Sequence, residues 1–121
     1  MKISCGTDII EIERVKKAIE NTGERFLENV FTEAEIAYCE ARKMQKYQHY
    51  AARFAAKEAA FKALNHKMKC PHNWKNFEVE KDENGRPVLK INGEIEGVEG
   101  VDLSLSHCRE YAVANVVAIL E

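Results

Sequence analysis

Arg53-Phe54-Ala55-Ala56-Lys57-Glu58-Ala59-Ala60-Phe61-Lys62-Ala63-Leu64 decides how this chain is read, because it sets a carboxylate where a helix should be apolar. At about 100° per residue, Tyr47, Ala51, Phe54 and Phe61 share one side of a helix, and Glu58 falls within that arc. Lys62 lies one turn further on. An ionised carboxylate on a core-facing stripe is costly unless a cation or several donors meet it. Two kinds of partner are open. Lys62, four residues on in the favourable orientation, would contribute about 0.2–0.5 kcal/mol as a helical ion pair, with Lys57 a helix-surface charge or a subunit contact. A metal ion, with nearby cations for a phosphate, is the sharper reading, and it requires a second acidic residue elsewhere.

Composition bounds what surrounds that helix. The 121 residues are 45% hydrophobic with a formal charge of −2, which predicts one globular domain over residues 1–121 with a modest core. No apolar run reaches membrane-spanning length, and the opening Met1-Lys2-Ile3-Ser4-Cys5 lacks an extended apolar segment, so a cytoplasmic location and no membrane partner are expected. Near-neutral charge supplies no basic field and argues against nucleic acid as a partner. Cys5, Cys39, Cys70 and Cys108 are widely spaced and form no CxxC pair, so reduced thiols are expected. Cys70-Pro71-His72 with His66 is too irregular for a zinc site and reads as loop.

Ile3, Cys5, Thr7 and Ile9 alternate with Ser4, Gly6, Asp8 and Ile10, the period of a first strand that ends near Asp8. Ile12, Val15 and Ile19 follow at helical spacing before Asn21-Thr22-Gly23, turning Arg14, Lys17 and Ala18 away from the core. Phe26 to Phe31 reads as a brief connecting turn of helix. Thr32-Glu33-Ala34-Glu35 is a capping box, flanked by Phe31 and Ile36, that starts a structural helix running to about Arg42. The long helix covers about Met44 to Leu64. Phe77 and Val79, then Asp82-Glu83-Asn84-Gly85, then Val88, Leu89 and Ile91 predict a hairpin with positive φ at Asn84-Gly85. Val101, Leu103, Leu105 and His107 alternate with polar residues, Arg109-Glu110 turns the chain, and Tyr111 to Leu120 is almost continuously apolar. That last strand is expected to be covered on both faces, by the long helix and by a second subunit. The sum is an α+β fold, a mainly antiparallel sheet packed against a long helix with shorter N-terminal helices. Asp8 and Glu58 are the candidate ligands for a hard cation, and Arg53, Lys57, Lys62, Arg86 and His107 the candidate phosphate contacts.

Three blocks carry a family resemblance across essentially the whole chain: Gly6-Thr7-Asp8-Ile9-Ile10-Glu11-Ile12 with Arg14, Arg53-Phe54-Ala55-Ala56-Lys57-Glu58-Ala59 with Lys62, and Ser104-Leu105-Ser106-His107 followed by Tyr111-Ala112-Val113-Ala114. Phe31-Thr32 with Glu35 and the turn Asn84-Gly85-Arg86-Pro87 match as well. In this order and spacing the chain resembles the bacterial holo-[acyl-carrier-protein] synthases, the small 4'-phosphopantetheinyl transferases. The resemblance implies transfer of the phosphopantetheine arm of coenzyme A to a serine of an apo acyl carrier protein, releasing adenosine 3',5'-bisphosphate in support of fatty acid biosynthesis. It implies Mg²⁺ on Asp8 and Glu58, with Asp8, Glu58 and Lys62 catalytic. Glu58 or a water on the metal is left as the base. Arg53, Lys62, Gly85, Arg86, Pro87 and His107 would meet coenzyme A, and Arg14, Arg25 and Phe26 the carrier protein. Members are homotrimers with sites between subunits.

The chain departs from the family's pattern at Thr7, where an aliphatic residue is common, and after Leu64, where Asn65 to Lys69 replaces a glycine-rich turn. The loop Asn92 to Gly100 is also shorter than in many relatives. Two other classes compete. A cysteine hydrolase built on His107 and Cys108 is disfavoured because neighbouring strand residues point to opposite faces. A noncatalytic trimeric binding module would explain the apolar last strand but gives no reason for Asp8 and Glu58.

Overall fold

The structure, a computed structural model, describes residues 1–121. In chain order it consists of β1 (Lys2–Glu11), α1 (Ile12–Thr22), α2 (Glu24–Val30), α3 (Glu33–Glu40), α4 (Lys46–Leu64), β2 (Phe77–Lys81), β3 (Pro87–Ile91), β4 (Val98–His107) and β5 (Tyr111–Leu120). β5 is the centre of an antiparallel sheet ordered β1-β5-β4, and β2 and β3 form a separate hairpin. Pairing runs unbroken from Lys2 opposite Leu120 to Glu11 opposite Tyr111. The β4 edge carries an irregularity between Val98 and Gly100. The architecture is the α+β arrangement read from the sequence.

The long helix is pressed closely onto this sheet because both surfaces are made of small residues. Ala55, Ala56, Ala59, Ala60 and Ala63 of α4 pack with Ala114, Val116, Ala118 and Leu120 of β5 and with Leu103 of β4. Gly6 marks the closest approach, since a Cβ there would lie 2.0 Å from the Ala59 carbonyl oxygen. Ser4 Oγ donates to the Ala63 carbonyl at 2.6 Å in the same contact. The alternation of β1 is thus inverted relative to hydrophobicity. Gly6 is buried, and Asp8 and Ile10 share its face toward α4, while Ile3 and Ile9 are each 63% exposed on the outer face with Val117 and Ile119. A second core gathers Ile12, Val15 and Ile19 of α1 with Val30, Phe31, Cys39, Tyr50 and Ala51.

Several boundaries and burials differ from the sequence reading. The segment after Gly23 is a seven-residue helix, longer than a connecting turn. α3 stops at Glu40, and Lys43 adopts φ 54° before a 3₁₀ turn leads into α4 at Lys46. In the Asp82–Gly85 turn only Gly85 has positive φ, at 79°, because Asp82 Oδ1 takes the backbone N–H groups of Asn84 and Arg86 and closes the loop itself. One face of β5 is covered by α4, and the other is open in the single chain.

α4 also rearranges the charges. Nearly every side of it is buried, so the stripe holding Tyr47, Phe54, Glu58 and Lys62 is its more open one, and Glu58 is half-buried. The charges deep in the fold are Arg53 and Lys57, at 2% and 0% exposure. A surface role for Lys57 is therefore overturned. Its ammonium meets Glu35 Oε1 at 2.8 Å, so the capping-box carboxylate has a partner beyond its own helix start.

Candidate functional site

Asp8 and Glu58 come together through the backbone approach at Gly6. Asp8 lies two residues on, on the same inward face of β1, and Glu58 immediately precedes Ala59, whose carbonyl meets Gly6. Lys62, one turn along α4, completes the group, with its Nζ 3.4 Å from Asp8 Oδ1 and donating to the Thr7 carbonyl at 2.8 Å. Burial and the Asp8 charge push the Glu58 carboxyl above its usual range, and the positive charges of Lys62 and His72 offset this only in part. Two carboxylates that repel each other at the mouth of a helix-strand contact form a ready seat for a cation. Nowhere do three or more His, Cys, Asp or Glu side chains converge in a metal cage. Two carboxylates suit a hard ion such as Mg²⁺, which takes oxygen ligands and keeps part of its coordination for water or phosphate. His66, Cys70 and His72 do not converge either; His72 stacks on Phe61 with ring centroids 4.0 Å apart.

A second cluster is cationic. The Tyr38 ring lies between the guanidinium carbons of Arg42, at 3.9 Å, and Arg53, at 4.1 Å, with Lys81 Nζ at 5.7 Å. His49 packs edge-on to Tyr38 at 5.6 Å, and His107 stands 6.4 Å from His49. Burial first, and then the charges of Arg53 and Arg42, hold the His49 imidazole below its usual range, which keeps it neutral. Arg53 Nε is buried without a hydrogen-bond acceptor. Arg53 lines a cleft of about 310 Å³ with Ala34, Tyr38, Val79, Glu80 and Lys81. This concentration of donors favours an anion.

The other sequence-predicted residues lie apart from both clusters. Gly85 and Arg86 belong to the β2–β3 turn and Pro87 opens β3. Arg86 pairs with Asp102 at 3.1 Å beside an open cleft floored by Ser104, Asn115 and Val117 on the outer sheet face. Arg14 and Arg25 are exposed on α1 and α2, and Phe26 is half-buried, its ring 6.1 Å from Phe54 on the open stripe of α4. A single chain therefore brings Asp8, Glu58 and Lys62 together, groups Arg53 with His107 in the Tyr38 cluster, and leaves Gly85-Arg86-Pro87 on a third surface.

Sequence reasoning missed the aromatic wall flanking the carboxylates. Trp74 stacks on Phe54 at 5.1 Å and meets Phe61 edge-on at 5.7 Å. A lone Trp in an irregular segment carries no periodic signal. It also missed Tyr38, Arg42 and His49, which assemble only because α3 folds back across α4.

Comparison with known proteins adds the family. The sequence profile described as the 4'-phosphopantetheinyl transferase superfamily matches residues 4–116. A holo-[acyl-carrier-protein] synthase of Ruminiclostridium cellulolyticum is 48% identical, covering 99% of this chain and 94% of its own. Among solved structures, the Bacillus anthracis holo-(acyl-carrier-protein) synthase in complex with CoA (3',5'-ADP) superposes with TM-score 0.78 at 35% identity, over 95% of this chain and 94% of that one. The Chronobacterium ammoniagenes ACPS-CoA complex gives TM-score 0.84 at 30% identity, over 100% and 99%.

Proposed function

The chain belongs to the 4'-phosphopantetheinyl transferase superfamily, among its holo-[acyl-carrier-protein] synthases, and from that premise we propose the reaction it performs. A serine oxygen of apo acyl carrier protein bonds to the coenzyme A phosphorus next to the pantetheine arm. The phosphoanhydride bond breaks, adenosine 3',5'-bisphosphate leaves, and the serine proton passes to a base. The observation that carries this reading is the repelling pair Asp8 and Glu58 with Lys62 beside it.

Asp8 and Glu58 would hold Mg²⁺, whose chemistry there is to neutralise charge building on the pyrophosphate. Lys62, with its side chain 55% exposed, is placed to turn from Asp8 toward a phosphate. Such a transfer depends on positioning and charge neutralisation more than on covalent help from the protein. Arg53 supplies a cation and His107 an imidazole donor for a further phosphate of coenzyme A, and Gly85-Arg86-Pro87 a backbone turn for the nucleotide. Arg14, Arg25 and Phe26 form the docking surface for an acidic helix of the carrier protein.

These groups sit on separate surfaces of one chain, and Ile3, Ile9, Val117 and Ile119 leave the outer sheet face apolar and open. Both features support a homotrimer of residue 1–121 domains with each site built across a subunit boundary. We place the reaction in fatty acid biosynthesis in the cytoplasm; no helix is long and apolar enough to cross a membrane.

Intact-mass analysis of an apo acyl carrier protein incubated with this protein and coenzyme A, with and without Mg²⁺ and alongside Glu58→Gln, tests the reading. The expected result is a Mg²⁺-dependent gain of one phosphopantetheine arm that the variant abolishes. No gain across several carrier proteins, from a folded trimer, would overturn it in favour of a noncatalytic assembly module.

A further inference from the structure

α4 carries the candidate ligand Glu58 but meets the sheet mostly through alanine methyls, Ala55, Ala56, Ala59, Ala60 and Ala63. Apolar contact is non-directional, so such a surface holds the helix down without fixing its rotation. Tyr50 Oη donates to Glu40 Oε2 at 2.6 Å in the first part of the helix, and the directional contact at its middle is made by Lys57. Its Nζ meets Glu35 Oε1 at 2.8 Å and donates to the backbone carbonyls of Phe77 and Trp74, so all three ammonium hydrogens have acceptors. Glu35 is equally used up. Its Oε1 also accepts the Thr32 N–H at 3.0 Å, and its Oε2 accepts the Val79 N–H at 2.9 Å.

Four pieces of chain thus converge on one ion pair: the start of α3, the middle of α4, the Trp74 turn and β2. Stability is a poor reason for it, because a buried ion pair generally contributes no more than well-packed apolar side chains of the same volume. Placement is the better reason. Lys57 adjoins Glu58 in sequence, Arg53 lies one turn back, and the Trp74 carbonyl that Lys57 grips belongs to the residue whose ring walls Phe54 beside Glu58.

We propose that Glu35 and Lys57 are positioning residues for the transfer reaction: their buried pair sets the rotation of α4, and so aims Glu58 at Asp8 and fixes the Trp74 wall. The proposal rests on the reading of Asp8 and Glu58 as the metal ligands. It separates the aim of the site from the stability of the fold, so the two should dissociate when both charges are removed together.

The test is the double variant Glu35→Gln/Lys57→Met, in which the glutamine keeps one acceptor oxygen and no charge is left unpaired. Three quantities are compared with the unaltered trimer: the thermal midpoint, Mn²⁺ affinity in the presence of coenzyme A by water-proton relaxation, and the separate kcat and KM for coenzyme A. We expect a variant that still folds and assembles, Mn²⁺ binding about 10- to 100-fold weaker, and a comparable loss in kcat with a smaller change in KM. Unchanged Mn²⁺ affinity and kcat would overturn the proposal. If the double variant does not fold, Lys57→Arg alone carries the same comparison, since it keeps a positive charge beside Glu35 and leaves the Thr32 and Val79 hydrogen bonds to that carboxylate in place while moving the donor. Absence of Mn²⁺ binding by the unaltered protein would instead overturn the metal-ligand reading, so the two failures are distinguishable.

Discussion

Lys62 reaches past Glu58, the residue one turn back on its own helix, and pairs with Asp8 of β1 at 3.4 Å. The intrahelical pair that the spacing invites is not made. Asp8 holds the lysine, and Glu58 is left half-buried with a carboxylate neighbour that raises its proton affinity.

A carboxyl whose folded-state pKa lies above its unfolded value favours the folded state most when protonated, and that contribution is lost as pH rises through the folded value. Ionised Glu58 therefore destabilises the metal-free fold at neutral pH. Glu58→Gln is expected to raise or preserve the thermal midpoint at pH 7 while abolishing Mg²⁺-dependent transfer, and the difference in midpoint should close as pH falls through the raised pKa. A midpoint clearly below that of the unaltered protein at neutral pH would contradict this.

Gly6→Ala should damage both fold and site. A Cβ at 2.0 Å from the Ala59 carbonyl oxygen has no room, and the obstacle is helix backbone that cannot rotate aside. We expect a loss of about 1–3 kcal/mol or more by denaturant unfolding. Transfer activity should fall further than that loss explains, since any shift of α4 away from β1 separates Glu58 from Asp8.

Arg53→Lys tests the cationic cluster. Lysine keeps the charge but loses the planar face stacked 4.1 Å over Tyr38. The lysine also loses the guanidinium fork that would meet a phosphate, so KM for coenzyme A should rise about tenfold, equivalent to about 1.4 kcal/mol, with kcat little changed. Equal KM values would exclude Arg53 from the substrate site.

Glu78 gives a pH signature of the fold itself. Burial pushes its carboxyl up, but hydrogen bonds from Asn92 Nδ2 at 3.0 Å and Thr32 Oγ1 at 2.8 Å outweigh that and hold it below its usual range. A depressed carboxyl contributes stability above its unfolded pKa, about 4.3, that is lost as pH falls through the folded value. Acid titration followed by circular dichroism should show stability falling below about pH 4–5, with a shallower fall in Glu78→Gln. Superimposable acid profiles would show that Glu78 carries none of it.

The elements were legible where periodicity or capping chemistry is strong. Ile12, Val15 and Ile19 define α1, Thr32 and Glu35 start α3, and Tyr111 to Leu120 form the central strand. Asp8 and Glu58 were legible as candidate carboxylate ligands, with a helical ion pair to Lys62 the ordinary alternative for Glu58. Burial of individual side chains was not, because it depends on which elements meet. Lys57 and Glu58 are neighbours, yet the first has no exposure and the second is half-open, and only the crossing of α3 and β2 over α4 decides that. Nor does β1 reveal which face turns inward, since its two exposed isoleucines obey a rule set by Gly6 and the helix behind it.

The pairing of the first strand with the last has a consequence in time. Thr7 Oγ1 donates to the Ala114 carbonyl 107 residues away, so Asp8 has no strand beside it until almost the whole chain is available. Contacts so distant in sequence form late, because the intervening loop must be closed before they reward the closure. A nascent chain can wind α4 and gather its alanines early, but it has no Asp8–Glu58 pair to offer. The protein acquires its chemistry in the same step that seals its fold, and a partly synthesised copy would be inert toward the carrier it will later modify.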